Sequence, residues 1–284
     1  MVESYLPVTL EEALQLRSEM HAVPVAGGTD ILVRYRNIAG AFPRFPWPVI
    51  YISGLAELQG IEVRDDEVII RSGTSLAEIA ASEVVPDLLK RAVDEIAAPA
   101  LRNRATLAGN ICNASPAGDG IAALYALHAE VELTSSRKMR RIPLECFITG
   151  PGATVLAADE LMTAVRIPRE AFSLTYYRKV GTRRANALSK LSCVGLATID
   201  AGCLTRFRLA LGAVGPVVVS THSMEQHMLG ATAETFEERR AAVLGELEPL
   251  VRPIDDQRST AAYRKAVALN LVRDFFDQIE EQLR

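Results

Sequence analysis

The chain of 284 residues is 49% hydrophobic and has a formal net charge of −4, from 31 basic and 35 acidic side chains. This length is enough for two domains, each with a buried core. The charge balance lacks the basic surplus that marks most nucleic-acid-binding proteins, and the apolar stretches fall short of the roughly 18 residues that span a bilayer. The first residues show no basic segment followed by an apolar one, so we expect a cytoplasmic protein without an export signal.

The first region, up to about residue 55, has the pattern of a small α/β subdomain. Thr9 is a suitable N-cap for a helix at Leu10–Met20, because its hydroxyl can accept a hydrogen bond from a free backbone N–H. A short strand at 24–26, a helix at 30–37 and a second strand at 49–52 complete a β-α-β arrangement.

The second region, from about residue 56 to residue 172, predicts an α+β subdomain with a mostly antiparallel sheet. Its predicted strands lie at 67–71, 130–134 and 160–167, and its predicted helices lie at 75–81 and 120–127. The two regions together form a predicted domain at 1–172.

The third region, residues 173–284, predicts a separate α+β cap domain. Three strands are expected at 174–179, 194–200 and 207–212, and two helices at 233–247 and 260–283. We therefore expect a three-stranded antiparallel sheet covered by helices. Tyr176 and Tyr177 lie on the first of these strands, where aromatic side chains usually belong to the core.

The segment from Pro24 to Ile31 has the pattern of a phosphate-binding turn. A short buried strand precedes Gly27 and Gly28, which permit a positive φ, and Thr29 or Asp30 can cap the helix that follows. Free backbone N–H groups and the positive end of a helix dipole attract anions at such a turn. An ordinary tight turn is the alternative, because strand-to-helix turns are often rich in glycine.

Residues 99–119 predict a second binding element, an ordered loop too long to serve only as a connection. Asp119 can accept hydrogen bonds from two hydroxyls at once, or it can cap the helix expected from Gly120. Neutral side chains suited to a polyol or phosphate ester are Thr106, Asn110, Asn113 and Ser115. The alternative is a loop whose Asn and Ser side chains only close its own turns.

The cysteines and histidines give no indication of a metal site. Cys112, Cys146, Cys193 and Cys203 are scattered, without the spacing of a zinc or iron–sulfur site, so we expect four reduced thiols. The four histidines have no ligand pattern either. We also find no nucleophile elbow or Ser/His/Asp set, so we predict neither a metal site nor catalytic residues on this chain.

Four motifs occur in order along the chain: AGGTD at 26–30, LRNRATLAGNICNASPAGD at 101–119, FITGPG at 147–152 and YRKVGTRRA at 177–185. Together they resemble the FAD-binding medium subunit of molybdenum hydroxylases, the family of bacterial xanthine dehydrogenases and carbon monoxide dehydrogenases. The resemblance covers essentially the whole chain. It implies a two-part FAD-binding domain of the PCMH (vanillyl-alcohol oxidase-like) type at 1–172, followed by a C-terminal flavoprotein domain at 173–284.

The resemblance also implies FAD contacts for particular residues. The glycine turn and the Thr-x-x-Gly-Asn segment would clasp the pyrophosphate, Asp119 would bind ribityl or ribose hydroxyls, and Leu161 and Lys179 would lie near the isoalloxazine ring. An ammonium there would stabilise the reduced flavin, although Lys179 could equally be a surface residue. The full set is Ala26, Gly27, Gly28, Thr29, Asp30, Ile31, Thr106, Gly109, Asn110, Asp119, Leu161 and Lys179.

By the same resemblance, the chain is an electron-transfer subunit of a hetero-oligomer. A large molybdopterin subunit would oxidise the substrate, a small subunit with 2Fe–2S clusters would relay electrons, and FAD on this chain would pass them to NAD⁺ or another acceptor. The alternatives are a self-contained flavoenzyme of the same fold, similar to an enolpyruvyl-sugar reductase, and a scaffold without cofactor. Two departures from the family pattern are Ala108, where glycine is common, and Ala153, where a basic residue is common.

Overall fold

The computed structural model describes residues 3–38, 40–183 and 186–284. These residues form fourteen strands and eleven α-helices. The strands are β1 (Ser4–Tyr5), β2 (Val23–Val25), β3 (Val49–Tyr51), β4 (Ile61–Arg64), β5 (Glu67–Arg71), β6 (Glu130–Thr134), β7 (Met139–Pro143), β8 (Ile148–Gly150), β9 (Ala153–Thr154), β10 (Leu161–Pro168), β11 (Leu174–Val180), β12 (Leu191–Asp200), β13 (Cys203–Gly212) and β14 (Val219–Ser220). The helices are α1 (Leu10–Met20), α2 (Ile31–Arg34), α3 (Leu76–Ala81), α4 (Asp87–Asp94), α5 (Pro99–Arg102), α6 (Leu107–Asn113), α7 (Asp119–Ala126), α8 (Leu144–Phe147), α9 (Glu225–Met228), α10 (Phe236–Leu247) and α11 (Ala261–Leu283).

The chain divides into two compact units. The first unit contains residues 1–86, 97–114 and 128–169, and the second contains residues 87–96, 115–127 and 170–284. Helices α4 and α7 therefore belong to the second unit, although they precede much of the first in sequence. Residues 184 and 185, the end of the YRKVGTRRA motif, lie outside the described residues.

The first unit begins with the predicted α/β arrangement. Strands β1, β3 and β2 form a parallel sheet, and helix α1 has the predicted N-cap, since the Thr9 hydroxyl accepts from the backbone N–H of Glu12 at 3.2 Å. Helix α2 is one turn long, not the eight residues predicted at 30–37. None of its residues is fully buried, and only Ile31 and Leu32 pack partly against the small apolar cluster that contains Val25, so few apolar contacts stabilise a longer helix.

The main sheet of the first unit has the strand order β4-β5-β10-β6-β7, and every pairing is antiparallel, as predicted. One face of this sheet carries a cluster of charged side chains around the buried Arg166. Arg166 is bound to Glu132 at 2.6 Å and to Glu67 at 2.9 Å, and Glu132 also accepts from the Thr163 hydroxyl at 2.8 Å. The donors compensate the burial of these carboxylates, because a buried charge without a partner is costly.

The prediction of one long loop at 99–119 is wrong in form, although the segment is ordered. Residues 99–102 and 107–113 are the short helices α5 and α6, and helix α7 begins at Asp119. Leu107 and Ile111, four residues apart, bury the same face of α6, and Thr106 caps it. A helix of seven residues gives too few apolar positions for its period to be recognised in the sequence.

The second unit contains a four-stranded antiparallel sheet in the order β11-β12-β13-β14, not the predicted three strands. The additional strand, β14, has only two residues, too few to show an alternating pattern. The following residue, Thr221, fixes it: its hydroxyl accepts from the Leu209 N–H at 3.0 Å. No helix among the described residues has the length and apolar character needed to cross a membrane.

Helix α11, of 23 residues, packs its apolar face on this sheet. Phe275 and Phe276 are fully buried and stack with Phe207 at centroid distances of 5.9 and 5.6 Å. A Cβ at Gly195 would lie 2.6 Å from the Phe275 ring, so glycine at this position allows the close approach of the ring to β12. Tyr176 and Tyr177 are buried, which confirms the prediction that they belong to the core.

Candidate functional site

The glycine turn has the predicted backbone form. Strand β2 ends at the buried residue Val25, and Gly28 has a φ of +73°, in the left-handed region that favours glycine. Asp30 occupies the N-cap position of α2, but its side chain makes no capping hydrogen bond. Because α2 is a single turn, its dipole contributes little, so an anion at this turn would be bound mainly by backbone N–H groups.

Gly27 brings the turn against the segment that precedes α6. A Cβ at Gly27 would lie 2.7 Å from the carbonyl carbon of Arg104, 2.9 Å from the Cα of Ala105 and still closer to the Arg104 carbonyl oxygen. Only glycine permits this approach of one backbone to another. The structure thus brings together the two segments, 26–31 and 101–113, in which the sequence predicted binding elements.

Hydrogen bonds fix the start of helix α6 beside the turn. The Thr106 hydroxyl accepts from the Gly109 N–H at 3.0 Å, and Ala105 accepts from the Leu76 N–H at 2.8 Å. Arg34 at the end of α2 donates to the Asn113 side chain at the end of α6, at 2.8 Å. The glycine-turn segment is therefore linked to both ends of α6: to its start by the close approach of Gly27 to Arg104, and to its end by the hydrogen bond from Arg34 to Asn113.

A cavity of about 160 Å³ lies at this junction in the first unit. Its lining residues are Gly27, Ser53, Gln59, Gly73, Ser75, Glu78, Asn103, Arg104 and Thr106. Of the predicted FAD residues, only Gly27 and Thr106 line this cavity. The other seven lining residues were not predicted as site residues, although Ser75 and Glu78 form a capping box that the Ser-x-x-Glu pattern could have revealed.

The donors at this junction fit a phosphate group of a nucleotide. Residues that carry hydroxyls, two amide side chains and one guanidinium line the cavity, and one oxygen of the Glu78 carboxylate accepts from the Ser75 N–H at 2.9 Å. Nearby on α6, the side-chain oxygen of Asn110 is buried without a hydrogen-bond partner among the described residues. Sites for whole drug-sized ligands measure roughly 300 to 1,000 Å³, so a cavity of about 160 Å³ accommodates only part of a dinucleotide.

In the second unit, Asp119 and Lys179 form a buried ion pair. The Lys179 ammonium donates to the Asp119 carboxylate at 2.7 Å and to the backbone carbonyl of Glu95 at 2.7 Å, and both side chains are 7% exposed. The second carboxylate oxygen of Asp119 accepts from the Ser189 hydroxyl. Burial raises the pKa of Asp119, and the Lys179 charge and the hydrogen bonds from Lys179 and Ser189 oppose that shift.

This geometry decides two alternatives left open by the sequence. Lys179 is not a surface residue, and Asp119 does not act as a helix cap, because Gly118 is the N-cap of α7 and Asp119 is its first helical residue. Leu161 is 1% exposed and packs in an apolar cluster of the first unit with Leu14 and Ile50. Its expected position near the isoalloxazine ring stays a prediction.

The fold and these sites correspond to a nucleotide-binding domain followed by a flavoprotein domain. The family described as FAD binding domain in molybdopterin dehydrogenase matches residues 1–170. The family described as CO dehydrogenase flavoprotein C-terminal domain matches residues 176–279.

Individual relatives agree with both matches. The chain is 31% identical over 296 residues to the nicotinate dehydrogenase FAD-subunit of Eubacterium barkeri, covering 99% of this chain and 97% of that one. It is 30% identical to the xanthine dehydrogenase FAD-binding subunit of Escherichia coli O157:H7, covering 85% and 84% of the two chains. A solved chain of the carbon monoxide dehydrogenase from Hydrogenophaga pseudoflava superposes with a TM-score of 0.86 at 26% identity, covering 96% of this chain and 95% of that one.

The chain therefore belongs to the FAD-binding medium subunits of molybdopterin hydroxylases, the xanthine and carbon monoxide dehydrogenase family. It is an oxidoreductase subunit of that type.

Proposed function

We propose that this chain transfers electrons within a molybdenum hydroxylase complex. Bound FAD would accept electrons from the 2Fe–2S clusters of a small partner subunit and deliver them to NAD⁺ or another acceptor. The observation that carries the proposal is the polar cavity at the contact of Gly27 with Arg104, in a chain of a FAD-binding family. The substrate would be oxidised at molybdopterin on a large partner subunit, in the cytoplasm.

The residues of the first unit would hold the pyrophosphate. Backbone N–H groups at 26–31 would donate to phosphate oxygens, and Thr106, Gly109 and Asn110 at the start of α6 would supply further contacts. The buried side-chain oxygen of Asn110 has no partner among the described residues and is an acceptor, so it would take a hydrogen bond from a sugar or ribityl hydroxyl of FAD, whereas only the NH2 group of Asn110 could donate to a phosphate oxygen.

The residues of the second unit would act on other parts of FAD. Asp119 can accept from ribityl or ribose hydroxyls, because each carboxylate oxygen has a second lone pair beyond the bond it already makes. The Lys179 ammonium, held by Asp119 and the Glu95 carbonyl, would place a positive charge near the isoalloxazine ring. We also propose that the PCMH-type FAD-binding domain covers residues 1–172 and the C-terminal domain covers residues 173–284.

The first test is the cofactor itself. Purified chain should be yellow and should release FAD, not FMN, on acid treatment, because no covalent link is expected. Recovery of FMN, or of no flavin after expression with added riboflavin, would contradict the proposal.

The second test concerns the partners. The chain co-expressed with its neighbouring reading frames should elute as one complex that contains molybdenum, iron and FAD. The isolated chain should oxidise NADH slowly with an artificial acceptor but should not turn over an organic substrate. Full turnover of purine or aldehyde by this chain alone would refute the assignment.

A further inference from the structure

The Lys179–Asp119 ion pair is the buried start of a longer series of polar contacts within the second unit, which continues to the partly exposed side chains of Arg258 and Asp256. The two oxygens of the Asp119 carboxylate have different donors: Lys179 binds one at 2.7 Å, and the Ser189 hydroxyl binds the other. Ser189 is 1% exposed and lies two residues before Leu191, the first residue of β12. A buried carboxylate with one donor per oxygen is fixed in orientation as well as in charge.

Ser189 is itself held from the other side. Its backbone carbonyl accepts from the Arg258 guanidinium at 3.2 Å. Arg258 in turn binds the Asp256 carboxylate through Nε at 3.0 Å and through Nη2 at 2.6 Å. The same carboxylate accepts from Arg264, which is 2% exposed on helix α11. The segment before α11 is thus connected to Ser189 through a guanidinium clamp.

The clamp is rigid for electrostatic reasons. Hydrogen bonds from Arg258 and Arg264 hold the pKa of Asp256 well below its usual range, so this carboxylate is charged at neutral pH. Backbone hydrogen bonds between Asp256 and Ser259, at 3.1 and 3.2 Å, close the turn that carries Arg258. The position of the Ser189 carbonyl therefore depends on a fixed guanidinium and not on a mobile side chain.

We propose that Ser189, held by the Arg258–Asp256 clamp, is a positioning residue that orients the Asp119 carboxylate and thereby fixes the Lys179 ammonium for FAD. This inference rests on the proposed FAD function of Asp119 and Lys179. It adds Ser189, Arg258 and Asp256, which no family motif above includes.

The groups around Asp119 show why the Ser189 hydroxyl is needed to keep the Asp119 carboxylate charged. Lys179 is the nearest cation, Tyr177 and Glu95 lie close by, and the Arg91 guanidinium is 6.0 Å from the centre of the Tyr177 ring. Burial favours the neutral form of Asp119, and the Ser189 hydrogen bond is one of the interactions that oppose it. Without this hydroxyl the pKa of Asp119 rises further, and protonated Asp119 would lose its electrostatic hold on Lys179.

The experiment compares Ser189→Ala, Ser189→Thr and Arg258→Gln with the full-length wild-type chain as purified. Arg239→Gln is the matched control, because Arg239 also donates to backbone carbonyls of the second unit, at 2.8 and 3.0 Å, but makes no contact with this chain of residues. The Asp119 carboxyl carbon is titrated by NMR with ¹³C-labelled aspartate, and its signal is identified by its loss in Asp119→Asn. Flavin content, FAD dissociation constant and midpoint potential are measured on the same samples.

We expect the pKa of Asp119 to rise in Ser189→Ala and Arg258→Gln and to stay at the wild-type value in Ser189→Thr and Arg239→Gln. The FAD dissociation constant should increase about tenfold in the first two variants, from loss of a hydrogen bond to a charged group, and the midpoint potential should become more negative. If Ser189→Thr does not fold, Arg258→Gln still tests the clamp. Wild-type titration and wild-type potential in both Ser189→Ala and Arg258→Gln would overturn the inference, whereas a wild-type chain that binds no FAD would overturn the proposed function.

Discussion

Gly27→Ala tests most directly whether the junction of the glycine turn and the α6 segment is the cofactor site. The new Cβ would lie 2.7 Å from the Arg104 carbonyl carbon and closer still to the carbonyl oxygen, and ordinary contact begins at 3.4 Å, so the two backbones must separate by more than about 0.7 Å. Neither obstacle is a flexible side chain, because both the Arg104 carbonyl and the Ala105 Cα belong to the backbone. The strain cannot be relieved by a change of rotamer.

Overpacking of this kind costs about 1–3 kcal/mol. If the strain falls on the bound state alone, FAD affinity decreases about 5- to 150-fold, since 1.4 kcal/mol corresponds to a factor of ten. If it falls on the fold, the melting temperature decreases by roughly 2–4 °C for each kcal/mol in a chain of this size. Titration of the flavin-free protein with FAD and a thermal melt without FAD separate the two contributions.

Gly54→Ala is the matched control, because Gly54 also lies in the first unit and a Cβ there would have no atom within 4 Å. We expect it to bind FAD with the affinity of the wild type. If Gly27→Ala matches Gly54→Ala in both FAD affinity and melting temperature, the close approach at Gly27 has no role in binding, and the cavity assignment is wrong.

Three further predictions concern single residues. Gly28→Val should lose FAD while its circular dichroism stays near that of the wild type, because valine resists a φ of +73° and its Cβ would lie 2.7 Å from Leu32; normal flavin content would contradict this. Asp256→Asn should lower the stability most at pH 7 and by progressively less as the pH falls below 3.8, because a depressed carboxyl pKa contributes its full stability above the ordinary value of 3.8 and loses it as the pH falls through the folded-state pKa; chemical denaturation at pH 7 and at a series of values below 3.8 measures the difference, and an equal loss at every pH would exclude the linkage. Cys146 is exposed whereas burial raises the pKa of Cys112 to about 12, so thiol reagents at pH 8 should modify Cys146 well before Cys112, as followed by mass spectrometry of peptides; equal rates would contradict the assigned burial.

Local signals in the sequence were sufficient for much of the fold. The Thr9 cap, the mostly antiparallel main sheet and the long C-terminal helix α11 were predicted because capping residues and long apolar periods are local properties. Some of the errors fall where an element is too short for its period to be visible, although helix α4 was also not predicted and has eight residues, as many as the predicted helix α7. Helix α6 was predicted as loop, and the two-residue strand β14 was missed.

The candidate sites were harder to predict because their residues are distant in sequence. Asp119 and Lys179 are 60 residues apart, and only the resemblance to a family pointed to both. No signal in the sequence pointed to Ser189, because a hydroxyl that faces a carboxylate is defined by tertiary contacts alone. Arg104 lies in the 101–119 motif, but the approach of its carbonyl to Gly27 is likewise a tertiary contact. The glycine turn was predicted from its local sequence, whereas its contact with the segment at Arg104 and Ala105 was visible only in the structure.

The helical conformation of α6 explains why Ala108 can stand where the family commonly has glycine. Ala108 is the second residue of helix α6 and is 6% exposed, so its backbone is in a right-handed helix where no positive φ is required. Within a helix, alanine is more favourable than glycine by roughly 1 kcal/mol. The glycine that does approach another group is Gly109, whose Cβ would lie 3.0 Å from the Thr106 hydroxyl that caps α6. The methyl group of Ala108 therefore favours α6, while Gly109 keeps the space beside the Thr106 cap open.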